Sequence, residues 1–193
     1  MVIAILGGTG QEGSGLAFRW ALKGHDVIIG SRNLERAQAA AAELNRLLGA
    51  GGDVRGATNR EAAQAADVVV LAVPYAGQAA TAEDVRNSLP GKILVDVTVP
   101  LVEPAVDRVQ LPHGESAAVA LQRRLGSGVR VVSAFQNVSA LHLKDPAHAI
   151  DCATCWCAAT TTRRAKRSSR LPAMRGCARG TPGRSRIPWR RKR

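Results

Sequence analysis

The sequence predicts an α/β fold, a doubly wound parallel sheet over residues 1–152, with a disordered basic tail over residues 153–193. Three observations predict it. Short β-branched runs alternate with helical patterns throughout the first segment, which places helices on both faces of one sheet. The first run, Val2 to Leu6, leads into glycines spaced G-x-G-x-x-G at Gly8, Gly10 and Gly13, and then into a helix. The run Val68 to Val73 is apolar without interruption, as expected of a parallel strand buried on both sides.

Taken in order, Val2 to Leu6 is the first strand. Leu16, Ala17, Trp20 and Ala21 recur at helical spacing after the glycines and should face the sheet. Gly24 ends this helix, and Asp26 to Gly30 is the second strand. Asn33 is the expected N-cap of an Ala-rich helix running to about Leu48, which Ala50-Gly51-Gly52 breaks. Val54 to Gly56 is a short strand, and Asn59 is the expected cap of a helix through Ala66. The buried run from Val68 follows, then Pro74-Tyr75 at its carboxyl end. A helix is expected over Gln78 to Ser88 and a strand over Lys92 to Asp96, with Thr98-Val99-Pro100 after it. Leu101 to Gly114 reads as a loop. Ser116 caps a helix to Leu125, and Val129 to Ser133 is the last strand of the segment.

The glycine turn carries the chemistry. In a Rossmann-like βαβ unit the first glycine permits the tight turn, the second lets backbone approach a pyrophosphate, and the third lets helix pack on strand. The segment Gly8-Thr9-Gly10-Gln11 to Gly13 is therefore a candidate dinucleotide cradle, with the helix N-terminus facing the phosphates. An NAD enzyme would normally place an acid at the end of the second strand to bond the ribose 2′-hydroxyl. This chain reads Gly30-Ser31-Arg32 there, with Arg36 one turn later. A guanidinium pairs bidentately with a 2′-phosphate and a hydroxyl donates to it, so NADP is expected over NAD. The alternative is a solvated arginine at a helix start.

At 193 residues the chain suits one domain with a small appendage. No apolar run approaches the ~20 residues of a membrane span. A strand that begins at Val2 leaves no room for a signal peptide, and a cytoplasmic location is expected. The net charge of +12 is unevenly placed: residues 1–152 carry 14 basic and 15 acidic side chains, residues 153–193 carry 13 basic and none acidic.

Residues 1–152 resemble the NADPH-dependent coenzyme F420 reductases, the F420:NADP oxidoreductase family. The resemblance is carried by Ala4 to Gly10, Gly30-Ser31-Arg32, Leu71 to Pro74, Asp96 to Pro100, and Val132 to Phe135 with Asn137-Val138-Ser139. It implies a hydride exchange between NADP(H) and a deazaflavin, in which cofactors carry the reaction and no catalytic acid or base is required. It further implies that Thr9, Ser31, Arg32 and Arg36 hold the 2′-phosphate end. Val73 and Pro74 would line the nicotinamide side, with Thr98, Pro100 and Asn137 near the deazaflavin. Members often carry His where this chain has Gln136, which puts a ring hydrogen bond there in doubt.

Beyond Cys152 the pattern changes. Cys152, Cys155, Cys157 and Cys177 match no standard zinc module, and no metal site is expected. A disordered tail binding nucleic acid fits the charge alone. A shifted reading frame fits more. Ala153 to Thr162, written in permitted codons and read from the third base, gives Asp-Val-Leu-Val-Cys-Gly-Asp-Asp-Asp, a buried strand and an acidic helix start. The same offset over Gly180 to Arg190 permits a second segment resembling the family's C-terminal part. Out-of-frame GC-rich coding also yields the Arg, Ala, Pro and Gly found here. The expected partners are small-molecule cofactors. A non-catalytic NADP-binding module or another NADP-dependent reductase is the alternative, and a homodimer is left open.

Overall fold

The fold follows from where the apolar runs stop. The computed structural model describes residues 1–102, 105–109, 114–148 and 157–159. Its elements are β1 (Val2–Leu6), α1 (Gln11–Leu22), β2 (Asp26–Ser31), α2 (Leu34–Leu48), β3 (Val54–Thr58), α3 (Asn59–Ala65), β4 (Val68–Leu71) and α4 (Tyr75–Asp84). They continue as β5 (Ile93–Asp96), β6 (Leu101–Val102), β7 (Ala105–Val109), α5 (Ala117–Leu125), β8 (Arg130–Ala134), α6 (Ala140–Leu143) and β9 (Cys157–Ala159).

The main sheet has the order β3-β2-β1-β4-β5-β8-β9. All pairings are parallel except β8 with β9. The chain first runs outward from β1 through β2 to β3, then crosses back to β4 and runs the other way. That reversal opens a crevice above the carboxyl ends of β1 and β4, the place where open α/β sheets take ligands. Register makes the rim level: Leu6 pairs with Gly30 and Leu71, Leu71 with Asp96, and Asp96 with Ser133.

Period-two alternation divides the strands between two cores. Ile3, Ile5, Val27, Ile29, Val70 and Val95 pack under α1 and α2. Ala4, Leu6, Ile28, Val69, Leu71 and Leu94 pack on the opposite face with residues of α3 and α5. Both faces are therefore dry, as the run from Val68 predicted.

Four expectations are corrected. α3 is capped by Thr58, not Asn59: the Thr58 hydroxyl accepts from the Glu61 N–H at 3.4 Å and Glu61 Oε2 accepts from the Thr58 N–H at 3.0 Å. That reciprocal pair satisfies two orphan donors at once, and Asn59 becomes the first helical residue. α4 starts at Tyr75 rather than Gln78, because Pro74 has a fixed φ suited to a helix entrance; it ends at Asp84, with a separate 3-10 turn over Arg86–Ser88. The stretch read as a loop from Leu101 contains the antiparallel pair β6 and β7. β3 runs on to Thr58, since Gly56 pairs with Ile29 and Ser31 with Thr58.

In the segment expected to be a tail, Cys157–Ala159 forms β9, pairing Ala134 with Cys157 and Val132 with Ala159. The sheet thus reaches Ala159, seven residues past the boundary placed at 152. The rest of the tail, with Cys152, Cys155 and Cys177, lies outside the described residues.

Candidate functional site

The turn after β1 is shaped by what its glycines lack. A Cβ on Gly13 would lie 2.8 Å from the Gly8 Cα, so only glycine lets α1 sit this close to the turn. At Gly10 the nearest atom to such a Cβ is 3.5 Å away, and the residue is exposed. Gly10 is not needed for packing; its bare backbone faces open space. It is also the N-cap of α1, extended at φ −80° and ψ 169°, with no side-chain cap bond. The first N–H groups of a twelve-residue helix are left for a ligand. A pyrophosphate fits that arrangement.

Next to it, β2 ends level with the turn. The Ser31 hydroxyl accepts from the Asn33 N–H at 3.2 Å, and Asn33 Oδ1 caps α2 by accepting from the Arg36 N–H at 2.9 Å. Arg32 and Arg36 are exposed, and among the described residues neither forms an ion pair. Two guanidiniums and a hydroxyl at the end of β2 fit a phosphate on a ribose.

A cleft of about 340 Å³ runs across the other side of the turn. It takes its walls from the start of α1 and from the ends of β4, β5 and β8. Of the residues expected at the site, Gly10, Gln11, Gly13, Val73, Pro74 and Thr98 line it together. Ser31, Arg32 and Arg36 lie outside it on the β2 side. Gly8 is buried beneath the turn and Thr9 is exposed at its tip. Pro100 is buried and Asn137 exposed, and neither is part of the cleft lining.

Further positions at or behind the cleft have no role assigned from the sequence. Asp96, only 1% exposed, accepts from the Thr98 hydroxyl and from Gln78 Nε2, both at 2.8 Å, and from the Thr98 N–H at 3.1 Å. Gln78 Nε2 also donates to Thr98 Oγ1 at 2.8 Å, closing a triangle that fixes the Thr98 side chain at the cleft. Burial raises the Asp96 carboxyl above the usual range, while the Thr98 and Gln78 hydrogen bonds pull it back. Gln136 Nε2 donates to the Asp96 carbonyl and to Ser133 Oγ, both at 2.8 Å, tying the ends of β5 and β8.

Phe135 closes the far wall with φ 73°, the one described non-glycine residue in the left-handed region. Such backbone costs of order 1–3 kcal/mol and persists where surroundings impose it. Glu12, finally, lines the cleft half-buried. Among the described residues its Oε1 has no hydrogen-bond partner, and burial pushes the carboxyl up to about 7. The capping pair at Thr58 and Glu61 was visible as T-x-x-E, and Asp96 and Phe135 fall in stretches that carry the family resemblance; Glu12 had no such signal.

The fold and site define a dinucleotide-binding α/β protein of the oxidoreductase class, with an uncapped helix end above a topological switch point. The family defined as NADP oxidoreductase, coenzyme F420-dependent, matches residues 2–100. The chain belongs to this family. An F420-dependent NADP reductase of Methanothermobacter thermautotrophicus is 42% identical over 157 residues, covering 79% of this chain and 68% of its own. The F420-dependent NADP reductase of Methanocaldococcus jannaschii is also 42% identical, over 79% of this chain and 70% of its own. A solved protein of Arthrobacter sp. FB24, named for the same F420-dependent NADP-reductase activity, superposes with a TM-score of 0.68 at 27% identity. That match covers 88% of this chain and 78% of the other.

Proposed function

We propose that the chain is an oxidoreductase that exchanges a hydride between NADP(H) and the deazaflavin coenzyme F420. Its cofactors are NADP and F420. The observation that carries this is an uncapped α1 N-terminus opening on a cleft walled by the ends of β4, β5 and β8, with the Ser31-Arg32-Arg36 turn outside it at the end of β2. When bound, the dinucleotide and the deazaflavin supply the redox chemistry. The chain's own residues bind and orient.

The roles follow from position. Gly8, Gly10, Gln11 and Gly13 hold the pyrophosphate at the start of α1, and Thr9, Ser31, Arg32 and Arg36 take the 2′-phosphate. Val73 and Pro74, at the end of β4, flank the nicotinamide. Thr98, fixed by Asp96 and Gln78, lies toward the deazaflavin, with Pro100 and Asn137 beyond it. No side chain is assigned as acid or base. Phe135 and Val99 shield the cleft from water.

The same proposal makes residues 1–152 the NADP-binding domain and 153–193 a product of a shifted frame that replaces the family's C-terminal part. The confinement of acids to residues 1–152 supports that boundary. Sequencing the gene across codons 148–158, with peptides from the cell, tests it; an uninterrupted frame yielding the tail peptides ends the idea. A cytoplasmic location, where NADPH is made and spent, and a homodimeric state complete the proposal; fractionation and sedimentation test them. No described helix is long and apolar enough to cross a membrane.

The function is tested by titrating the full chain with NADPH, followed by its fluorescence, and then adding oxidised F420. Binding followed by consumption of NADPH is the expected result. Binding without consumption would identify a non-catalytic NADP module.

A further inference from the structure

Glu12 occupies the first turn of α1, two residues past the N-cap Gly10, and lines the cleft beside Gly10 and Gly13. Its Oε1 is buried and has no hydrogen-bond partner among the described residues. A carboxylate so placed is poorly solvated, and burial alone raises it to about 7.

Among the described residues no cation offsets this. Among the described lining residues the titratable side chains are Glu12 and Tyr75; none is Lys, Arg or His. From β5, Asp96 stands behind Thr98 and is engaged by Gln78 and Thr98. α6, which packs on α1, carries His142, whose ring stacks on His148 with centroids 4.0 Å apart. Arg19, nearly two turns along α1, is spent on the carbonyls of His142, Leu143, Asp145 and His148. On the α2 side, Glu35 and Arg36 are exposed at the start of that helix, outside the cleft.

The positive end of α1 attracts one anion well. An ionised Glu12 and a bound pyrophosphate would be two anions at the same helix end, each raising the energy of the other. We propose that Glu12 makes dinucleotide binding proton-linked: the cleft takes the phosphate-bearing cofactor with the Glu12 carboxyl neutral, and the ionised carboxylate opposes it. This rests on the NADP reading above. By linkage, binding at a pH above the carboxyl's own value draws a proton from the buffer onto Glu12, and no other bond changes.

The test is titration calorimetry of the full chain with NADPH at pH 8, in two buffers of different ionisation enthalpy. The ribose phosphate, with a second ionisation near ~6, is already dianionic and adds no uptake there. A carboxyl raised to about 7 is mostly ionised at pH 8, so a net proton uptake, at most one per NADPH, is expected in the wild type. Glu12→Gln should show almost none and bind up to about tenfold more tightly at this pH. No uptake by the wild type, or equal uptake by both proteins, overturns the role of Glu12 while binding itself leaves the NADP reading intact. Failure of both proteins to bind NADPH at any pH overturns both.

Discussion

The ring of Phe135 stands edge-on to Trp20, with centroids 5.7 Å apart and planes at 78°. Trp20 is buried on the core side of α1, and Phe135 follows β8 with a left-handed backbone. The contact therefore joins α1 to the opposite wall of the cleft. Trp20→Ala should cost ~3–5 kcal/mol, as large-to-small core changes do, and equilibrium urea unfolding measures it. Because Phe135 loses its support, NADPH affinity should fall in the same variant.

Gly10 and Gly13 separate packing from binding. Gly10→Val meets open space and an extended backbone, so it should change stability by about 1 kcal/mol or less while abolishing NADPH binding. Gly13→Ala places its methyl group 2.8 Å from the Gly8 Cα and should lower both stability and affinity. Thermal unfolding and NADPH titration of the two variants distinguish them.

Arg32→Ala should remove the charge-assisted contact proposed above for the 2′-phosphate. Such contacts contribute ~1.5–3 kcal/mol, so the NADPH dissociation constant should rise roughly ten- to hundredfold. NADH, which has no 2′-phosphate, should bind unchanged. Equal losses for both dinucleotides would remove Arg32 from that role.

Glu12 also links stability to pH. Its carboxyl moves from an ordinary value of 4.5 unfolded to about 7 folded, so between these values the unfolded chain releases a proton that the folded chain keeps. Its effect is absent below 4.5 and destabilises the fold progressively up to about 7. Glu12→Gln should accordingly match the wild type at pH 4 and exceed it at pH 8 in urea midpoint. Asp96 shifts in the same direction but is present in both proteins and cancels in the comparison.

Much of this architecture is legible in the letters because it rests on local chemistry. Val2 to Leu6 and Val68 to Leu71 are apolar on both faces, and the glycine spacing and Ser31-Arg32 are short-range signals. What escaped depends on contacts made over long sequence distance. Asp96 matters because Gln78 and Thr98 enclose it, and Glu12 stands in a variable position of the glycine motif, where only burial reveals its unpartnered oxygen. The pair β6 and β7 was hidden by its shortness and by the prolines at 104 and 112, which break any strand pattern. Asn59 lost the capping role to Thr58 because only Thr58 has Glu61 three residues on to return the bond.

The central claim is that this cleft brings NADPH and F420 together for hydride exchange. The most direct measurement is the visible absorbance of oxidised F420 mixed with the full chain and NADPH, beside the same mixture with NADH and a frame-restored protein. Loss of the deazaflavin absorbance with NADPH, far slower with NADH and fastest with the restored frame, is the predicted result. An unchanged spectrum with NADPH for both proteins, under conditions where each binds the dinucleotide, would contradict the account.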